Sequence, residues 1–418
     1  MSVVLGGGFY TLGSSSDVGP LKIVYMALLI FCSLVSSYRL IINPPPWIRP
    51  FKKTIVWGIA FLLCMIIGTM FLPTFDLLTT IRQSVFYLLV ILSPIIGLDA
   101  GRDMRPRFVL NMIGIIGTIS AAGFAADWLE RRNISSVEIG RFMLSSLVVP
   151  SLTFALALVC VCYAKGLLRI LWFIPIIVIP AAMLVTGTRT NLIIYVAILG
   201  VIGNRKYMRV PLNRVLIITA SACAGTLALI PLLASSLLRD PGFLMTRLQA
   251  LLTVVGGDGQ ADESFRLRTE QYEYAWSRIH ESPFFGFGPG FTADIPMDTP
   301  LVTIVKFGFV GSSILIIFLF VALTAIRHTA RKYGYGAIHA SLRGFILVFL
   351  ALIPFGTPFE DRGFGFLLML IFMGVSSFAQ NEYNRLSKTA NSGRIVPKLL
   401  DIHPRKLPLT TIDLRLRR

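Results

Sequence analysis

Apolar runs of about 20 residues recur from one end of the chain to the other, each long enough to cross a bilayer as a helix. Eleven can be drawn, at 21–42, 53–73, 76–98, 107–128, 141–164, 167–186, 189–203, 212–238, 300–325, 341–356 and 362–380. The seventh and tenth are short, so ten to twelve spans fit the pattern. Only 14% of the 418 residues are charged, against about a quarter in a soluble domain. The fold class expected is all-α: a polytopic transmembrane helical bundle.

The net charge of +18 would suggest nucleic acid in a soluble protein. Here its distribution gives another reason. Alternate connections hold Arg39/Arg49/Lys52/Lys53, Arg102/Arg105/Arg107, Lys165/Arg169, Arg205/Lys206/Arg209/Arg214 and Arg327/Arg331/Lys332/Arg343. With the tail after residue 380 they account for 26 of the 39 Lys and Arg. Cytoplasmic connections of membrane proteins carry this excess. Eleven spans then put the N-terminus outside and the C-terminus in the cytoplasm, with no nucleic-acid partner required. The first 20 residues lack the basic head of a secretory signal and read as a short exposed tail. The five cysteines all lie in apolar runs and read as small buried residues; Cys160-x-Cys162 has no neighbouring ligand for a metal.

Four regions follow: a transmembrane bundle over 1–238, a large outer loop over 239–299, further transmembrane helices over 300–380, and a basic cytoplasmic tail over 381–418. No internal repeat is visible. The outer loop holds nine acidic residues and five arginines, and loops of this length are usually functional. Within it, 262–282 reads as a helix, capped by Asp262. At about 100° per residue, Phe265, Tyr272, Trp276 and Ile279 form one stripe, with the glutamates opposite and Arg268 at the stripe's edge. Arg268 is either a snorkelling or paired arginine or one that meets an anion in a cavity. Pro283 ends the helix. The glycines of "FFGFGPGF" (284–291) follow a helix and not a strand, so they do not match a dinucleotide loop; they read as a tight turn pressed on the membrane surface.

Ionisable residues in apolar segments are functional candidates by default. Arg82 lies inside the third run, Arg189 at the junction of the sixth and seventh, and Arg362 at the start of the eleventh, beside Glu360 and Asp361. With Arg268, all fall on the outer side. Arginine forks suit phosphates, so a diphosphate ligand is expected. Each also has a plain structural reading, as an interfacial or paired arginine. Lys306 lies inside the ninth run, where that reading is the stronger.

"RTEQYEYAWSRIHESPFFGFGPGF" (268–291), "GFVG" (308–311) and "TGTRT" (186–190) together resemble the O-antigen ligase and polymerase family. The resemblance covers roughly residues 184–315. It implies an integral-membrane glycosyltransferase of the inner membrane that takes glycan from an undecaprenyl-diphosphate carrier at the outer face. Arg189 and Arg268 become diphosphate ligands by position, with Arg82 and Arg362 beside them. No metal or other cofactor is implied. Family ligases place a histidine eleven residues before the Gly-x-x-Gly; here that position is Met297, followed by Asp298. Asp298 is then either the general base toward the acceptor hydroxyl or a helix N-cap ahead of Pro300. The missing histidine favours a polymerase of repeat units over a ligase acting on lipid A core. The partners implied are the carrier-linked donor, a glycan acceptor and membrane lipid, with a flippase and a chain-length regulator alongside. A transporter of the lipid-linked unit is the alternative; it should show repeats or broken helices, and the sequence shows neither.

Overall fold

The computed structural model describes residues 20–70, 77–131, 148–163, 166–185, 263–295, 297, 299–332, 359 and 362–391, with Tyr195, Ile198, Ala220 and Ala224 as single positions; at several helix ends, and at Arg82, Arg268 and Arg362, the description is of the backbone alone. The described residues are helical, with no strand among them. In chain order the helices are α1 (Pro20–Ile42), α2 (Lys52–Thr69) after a 3-10 turn at Pro46–Phe51, α3 (Leu77–Arg102), α4 (Pro106–Arg131), α5 (Val148–Tyr163), α6 (Leu167–Val185), α7 (Glu263–Glu281), α8 (Leu301–Lys332) and α9 (Arg362–Asn391). Eight of the eleven apolar runs are thus helices, and 189–203, 212–238 and 341–356 lie essentially outside the described residues. The spans around α2, α3, α8 and α9 are long and apolar enough to cross a membrane. α9 runs to Asn391, so the region from 381 begins as helix.

The outward faces of these helices are apolar. Phe31, Leu34 and Ile41 on α1, Val56, Ile59 and Leu63 on α2, and Ile316 and Phe320 on α8 are exposed. A continuous apolar exterior of this kind suits lipid, and a soluble monomer would keep such patches small. The interior is just as apolar, so burial alone gives little reason for helices to associate in a bilayer; close backbone packing does that.

Such packing joins α3 and α9. A Cβ at Gly97 would lie 2.5 Å from the Met369 carbonyl oxygen, and one at Gly101 would overlap the Met373 backbone. Gly365 approaches α3 in the same way: its Cβ would lie 2.8 Å from the Leu89 side chain. Residues Gly97-x-x-x-Gly101 thus form a small-x-x-x-small surface on which α9 lies parallel to α3. Ser376 Oγ donates to the Leu98 carbonyl (2.6 Å) within this seam.

Helix directions follow from the contacts. α2 is antiparallel to both α3 and α8: Gly58 lies against Ile91 and Phe318, and Phe61 against Tyr87 and Phe307. One end of the bundle gathers Arg39, Trp47, Asp99 and Gln380, the last joined to Trp47 Nε1 at 3.2 Å. The other end gathers Gly68 with Phe285 and Gly288. The basic residues of the first two alternate connections lie at the Arg39 end. There the buried Asp99, its side chain 4% exposed, accepts from Arg39 at 3.3 Å, and Asp103 takes the guanidinium's other nitrogen.

Two outcomes test this packing. Gly101→Leu forces α3 and α9 apart at a cost of about 1–3 kcal/mol and lowers the thermal midpoint in detergent by several degrees. Arg39→Ala leaves Asp99 buried without its cation and destabilises the fold; adding Asp99→Asn restores the midpoint, as measured in the same assay.

Candidate functional site

The end of the bundle opposite Arg39 is built around a break in α8. Gly308 has φ +60° and ψ −172° inside an otherwise continuous helix. A helix broken in apolar surroundings exposes N–H and C=O groups that must find partners. The segment after α7 provides them. Phe287 N–H donates to the Val305 carbonyl (3.0 Å) and Gly288 N–H to the Lys306 carbonyl (2.7 Å). Phe309 N–H donates to the Pro283 carbonyl (2.8 Å) and Val310 N–H to the Phe284 carbonyl (3.1 Å). Ser312 Oγ closes the break from within α8, donating to the Thr303 carbonyl at 3.1 Å.

Glycine is required on both sides of this joint. Gly286 (φ +67°) and Gly288 (φ +81°) take the left-handed conformation that glycine alone adopts freely. A Cβ at Gly286 would sit 2.5 Å from the Lys306 carbonyl carbon, and one at Gly288 2.8 Å from the Gly68 oxygen. A Cβ at Gly308 would overlap the Phe284 backbone. The backbone of the turn enters the helix, because the break there leaves polar groups to be met, while Phe284 and Phe285 stay exposed. The expectation that no helix is broken is corrected. Gly308 sits in an unbroken apolar run, so hydropathy carries no mark of the break.

α7 docks on the first turns of α8. Ala275 and Ile279 are buried with Phe287 and Val305, and Phe291, Met297, Leu301 and Ile304 pack against them. The apolar stripe is therefore rotated from the one expected. Trp276 is 50% exposed and meets His280 edge-on at 5.2 Å, whereas the small Ala275 takes the centre because it permits close approach. Helix positions 268, 272, 275 and 279 follow the i, i+4, i+7, i+11 spacing of one face, so position 268 shares the helical face on which Ala275 and Ile279 are buried. Glu270, Glu273 and Glu281 are exposed on the other side.

A polar clasp holds the chain beyond the turn. Arg278 reaches Glu281 (3.0 Å) and Asp294 (3.4 Å) and lies 5.2 Å from the Tyr274 ring centroid. Tyr274 OH donates to Asp294 Oδ2 at 3.1 Å. The Tyr274 hydroxyl, and then the Glu281 carboxylate, hold the Arg278 pKa above its ordinary value, so it is charged at any working pH. The clasp ties the chain down at Asp294, and the Thr299 carbonyl accepts from Val302 N–H (3.1 Å) where α8 begins.

Arg189 and Asp298 lie outside the described residues. For Arg82, Arg268 and Arg362 the backbone gives their level in the bundle. The Tyr87 and Phe307 rings meet at 4.6 Å. Arg82 lies five residues before Tyr87, and Thr303 four before Phe307, on parallel helices; at about 1.5 Å per residue the two stand at one depth. Arg362 opens α9 three residues before Gly365, which abuts Leu89 and Val90. Positions 82 and 362 thus lie at the joint end on adjacent helices. Sequence reasoning passed over Thr299 and Thr303, both buried, and for Lys306, also buried, made the structural reading the stronger of two. Their i, i+4, i+7 spacing was the available signal. No group of three or more His, Cys, Asp or Glu with metal-ligand arrangement occurs among the described residues.

Comparison with protein-family models and with curated proteins gives no match. The family resemblance rests on the motifs quoted above.

Gly286→Val and Gly308→Val each place a side chain where both φ and the facing backbone exclude it. The strain is of order 1–3 kcal/mol, and the joint opens. Limited proteolysis in detergent reads this as faster cleavage between residues 282 and 295; wild-type resistance in both variants would contradict the joint.

Proposed function

We propose that the chain is a polysaccharide polymerase joining oligosaccharide repeat units, carried on undecaprenyl diphosphate, at the outer face of a bacterial inner membrane. The observation that carries the reading is the joint. "GFGPG" and "GFVG", two motifs separated in the sequence, are two halves of one contact: Gly286 and Gly288 lie against Lys306 and Gly68, and Gly308 against Phe284. That gives physical meaning to the order and spacing on which the family resemblance depends. Arg268 on the docking face of α7, and Arg82 and Arg362 at the same end, support an anion site there.

In the proposed reaction the acceptor hydroxyl oxygen bonds to the donor's anomeric carbon. The bond from that carbon to the carrier's diphosphate breaks, and the lipid diphosphate leaves with the electron pair. Asp298 takes the hydroxyl proton as general base. Arg189 and Arg268, with Arg82 and Arg362, hold the diphosphate and stabilise the charge that develops as it leaves.

Arg189→Ala and Arg268→Ala should each abolish high-molecular-weight polysaccharide while single carrier-linked units accumulate outside, at normal protein level. Normal chain length in both variants would sink the proposal. The broken α8 favours one second reading, a transporter of the lipid-linked unit, because such proteins place broken helices at their sites. That reading expects a null strain to hold its carrier-linked units on the cytoplasmic face, whereas a polymerase null holds them outside.

A further inference from the structure

α2 carries one continuous exposed face. Taken at 100° per residue, Lys52, Val56, Ile59, Leu63 and Met70 fall within about 60° of one another, and all are exposed. The buried Thr54, Phe61 and Met65 lie on the opposite side. α8 repeats the pattern: Ile316, Phe320 and Arg327 share an exposed stripe, with the buried Phe318 and Ala322 behind it. Each face is apolar along its length and cationic at one end.

The cationic ends coincide. α2 is antiparallel to α8, and Gly58 lies against Phe318. Arg49 and Arg327 lie equally far along the chain from that contact, toward the same end of the bundle. Lys52 and Lys53 stand between Arg49 and the contact. All four cations are exposed, and none is in an ion pair among the described residues. The carboxylates described at this end are engaged elsewhere: Arg39 holds Asp99 and Asp103, and Arg385 holds Glu382. Like charges gathered at one level without counter-ions repel one another. Water would account for the cations alone, and hydrocarbon for the apolar faces alone. Their junction on the same helical faces calls for a partner that is both, an anion joined to long hydrocarbon chains.

We propose that Arg49, Lys52, Lys53 and Arg327 bind the phosphate headgroups of anionic phospholipid, whose acyl chains lie along the exposed faces of α2 and α8. The site is at the end of the bundle opposite the joint, and it does not depend on the polymerase reading. Headgroups held between the two helices tie the start of α2 to the later turns of α8 and stabilise the fold.

The test titrates dioleoyl phosphatidylglycerol into the full detergent-solubilised chain and follows the thermal midpoint, which rises with a ligand that binds the folded state. Dioleoyl phosphatidylcholine, with the same chains and no net charge, should raise it far less. Arg49→Gln with Arg327→Gln, and Lys52→Gln with Lys53→Gln, should each weaken phosphatidylglycerol binding about tenfold or more. The lipid-free midpoint should stay level, since the side chains are exposed. Added salt should weaken binding to the wild type. Arg105→Gln with Arg107→Gln, exposed cations outside these two faces, should leave it unchanged. Equal rises with the two lipids overturn the headgroup assignment. Wild-type affinity in both variant pairs overturns the site, and so does an equal loss in the Arg105 and Arg107 pair, which would mark diffuse attraction. Inorganic phosphate raising the midpoint as far as the lipid overturns the lipid partner. If one variant pair does not fold, the other pair and the salt titration decide.

Discussion

A peptide group without a hydrogen bond is expensive in hydrocarbon, and α8 exposes several of them at Gly308. Everything at this end of the molecule is organised by their satisfaction. Four loop–helix hydrogen bonds make the turn after α7 part of α8's own ladder. The turn can approach so closely only because both partners lack side chains at the contact. It follows directly on the end of α7 at Glu281, with Ser282 Oγ donating to the Gly286 carbonyl and the Pro283 carbonyl accepting from Phe309. The position of Arg268 is thus determined by backbone pairing more than ten residues away.

The same device, backbone brought against backbone by glycine, holds the bundle beneath. Gly97, Gly101 and Gly365 let α3 and α9 pack at a separation no larger residue would allow. Tyr87 and Phe307 then interlock above this seam. The two glycine contacts act at different levels: one makes a rigid parallel pair, the other couples that pair's neighbour to a segment outside the span. Between them runs the buried face of Thr299, Thr303 and Lys306, on a half-helix held from both sides.

Helix existence was legible because length and hydropathy are local properties; α1 to α6, α8 and α9 all follow apolar runs read directly from the chain. The alternation of basic connections agrees with the directions of α1, α2, α3, α8 and α9. The break at Gly308 was not legible, since glycine inside an apolar helix is common and its φ is set by contacts twenty residues earlier. The register of α7 was misread by a single position, because Trp276 outweighs Ala275 in any apolar stripe although close packing prefers the smaller side chain. Asp99 lies just past the third apolar run, and its burial beside Arg39 of a neighbouring helix is visible only in the structure. Among the site candidates, Arg82 and Arg362 were singled out by charge in apolar runs and Arg268 by its place on a helix stripe and in a motif, signals that say little of how deep each residue lies.

The clasp and the joint also impose an order of assembly. The turn at 283–288 precedes α8 in the chain, so it leaves the ribosome first. The carbonyls of Val305 and Lys306 are met only once that turn has docked on them. The bend at Gly308 is therefore held by a segment made before it, and the contacts that seat the turn are the ones that finish the helix.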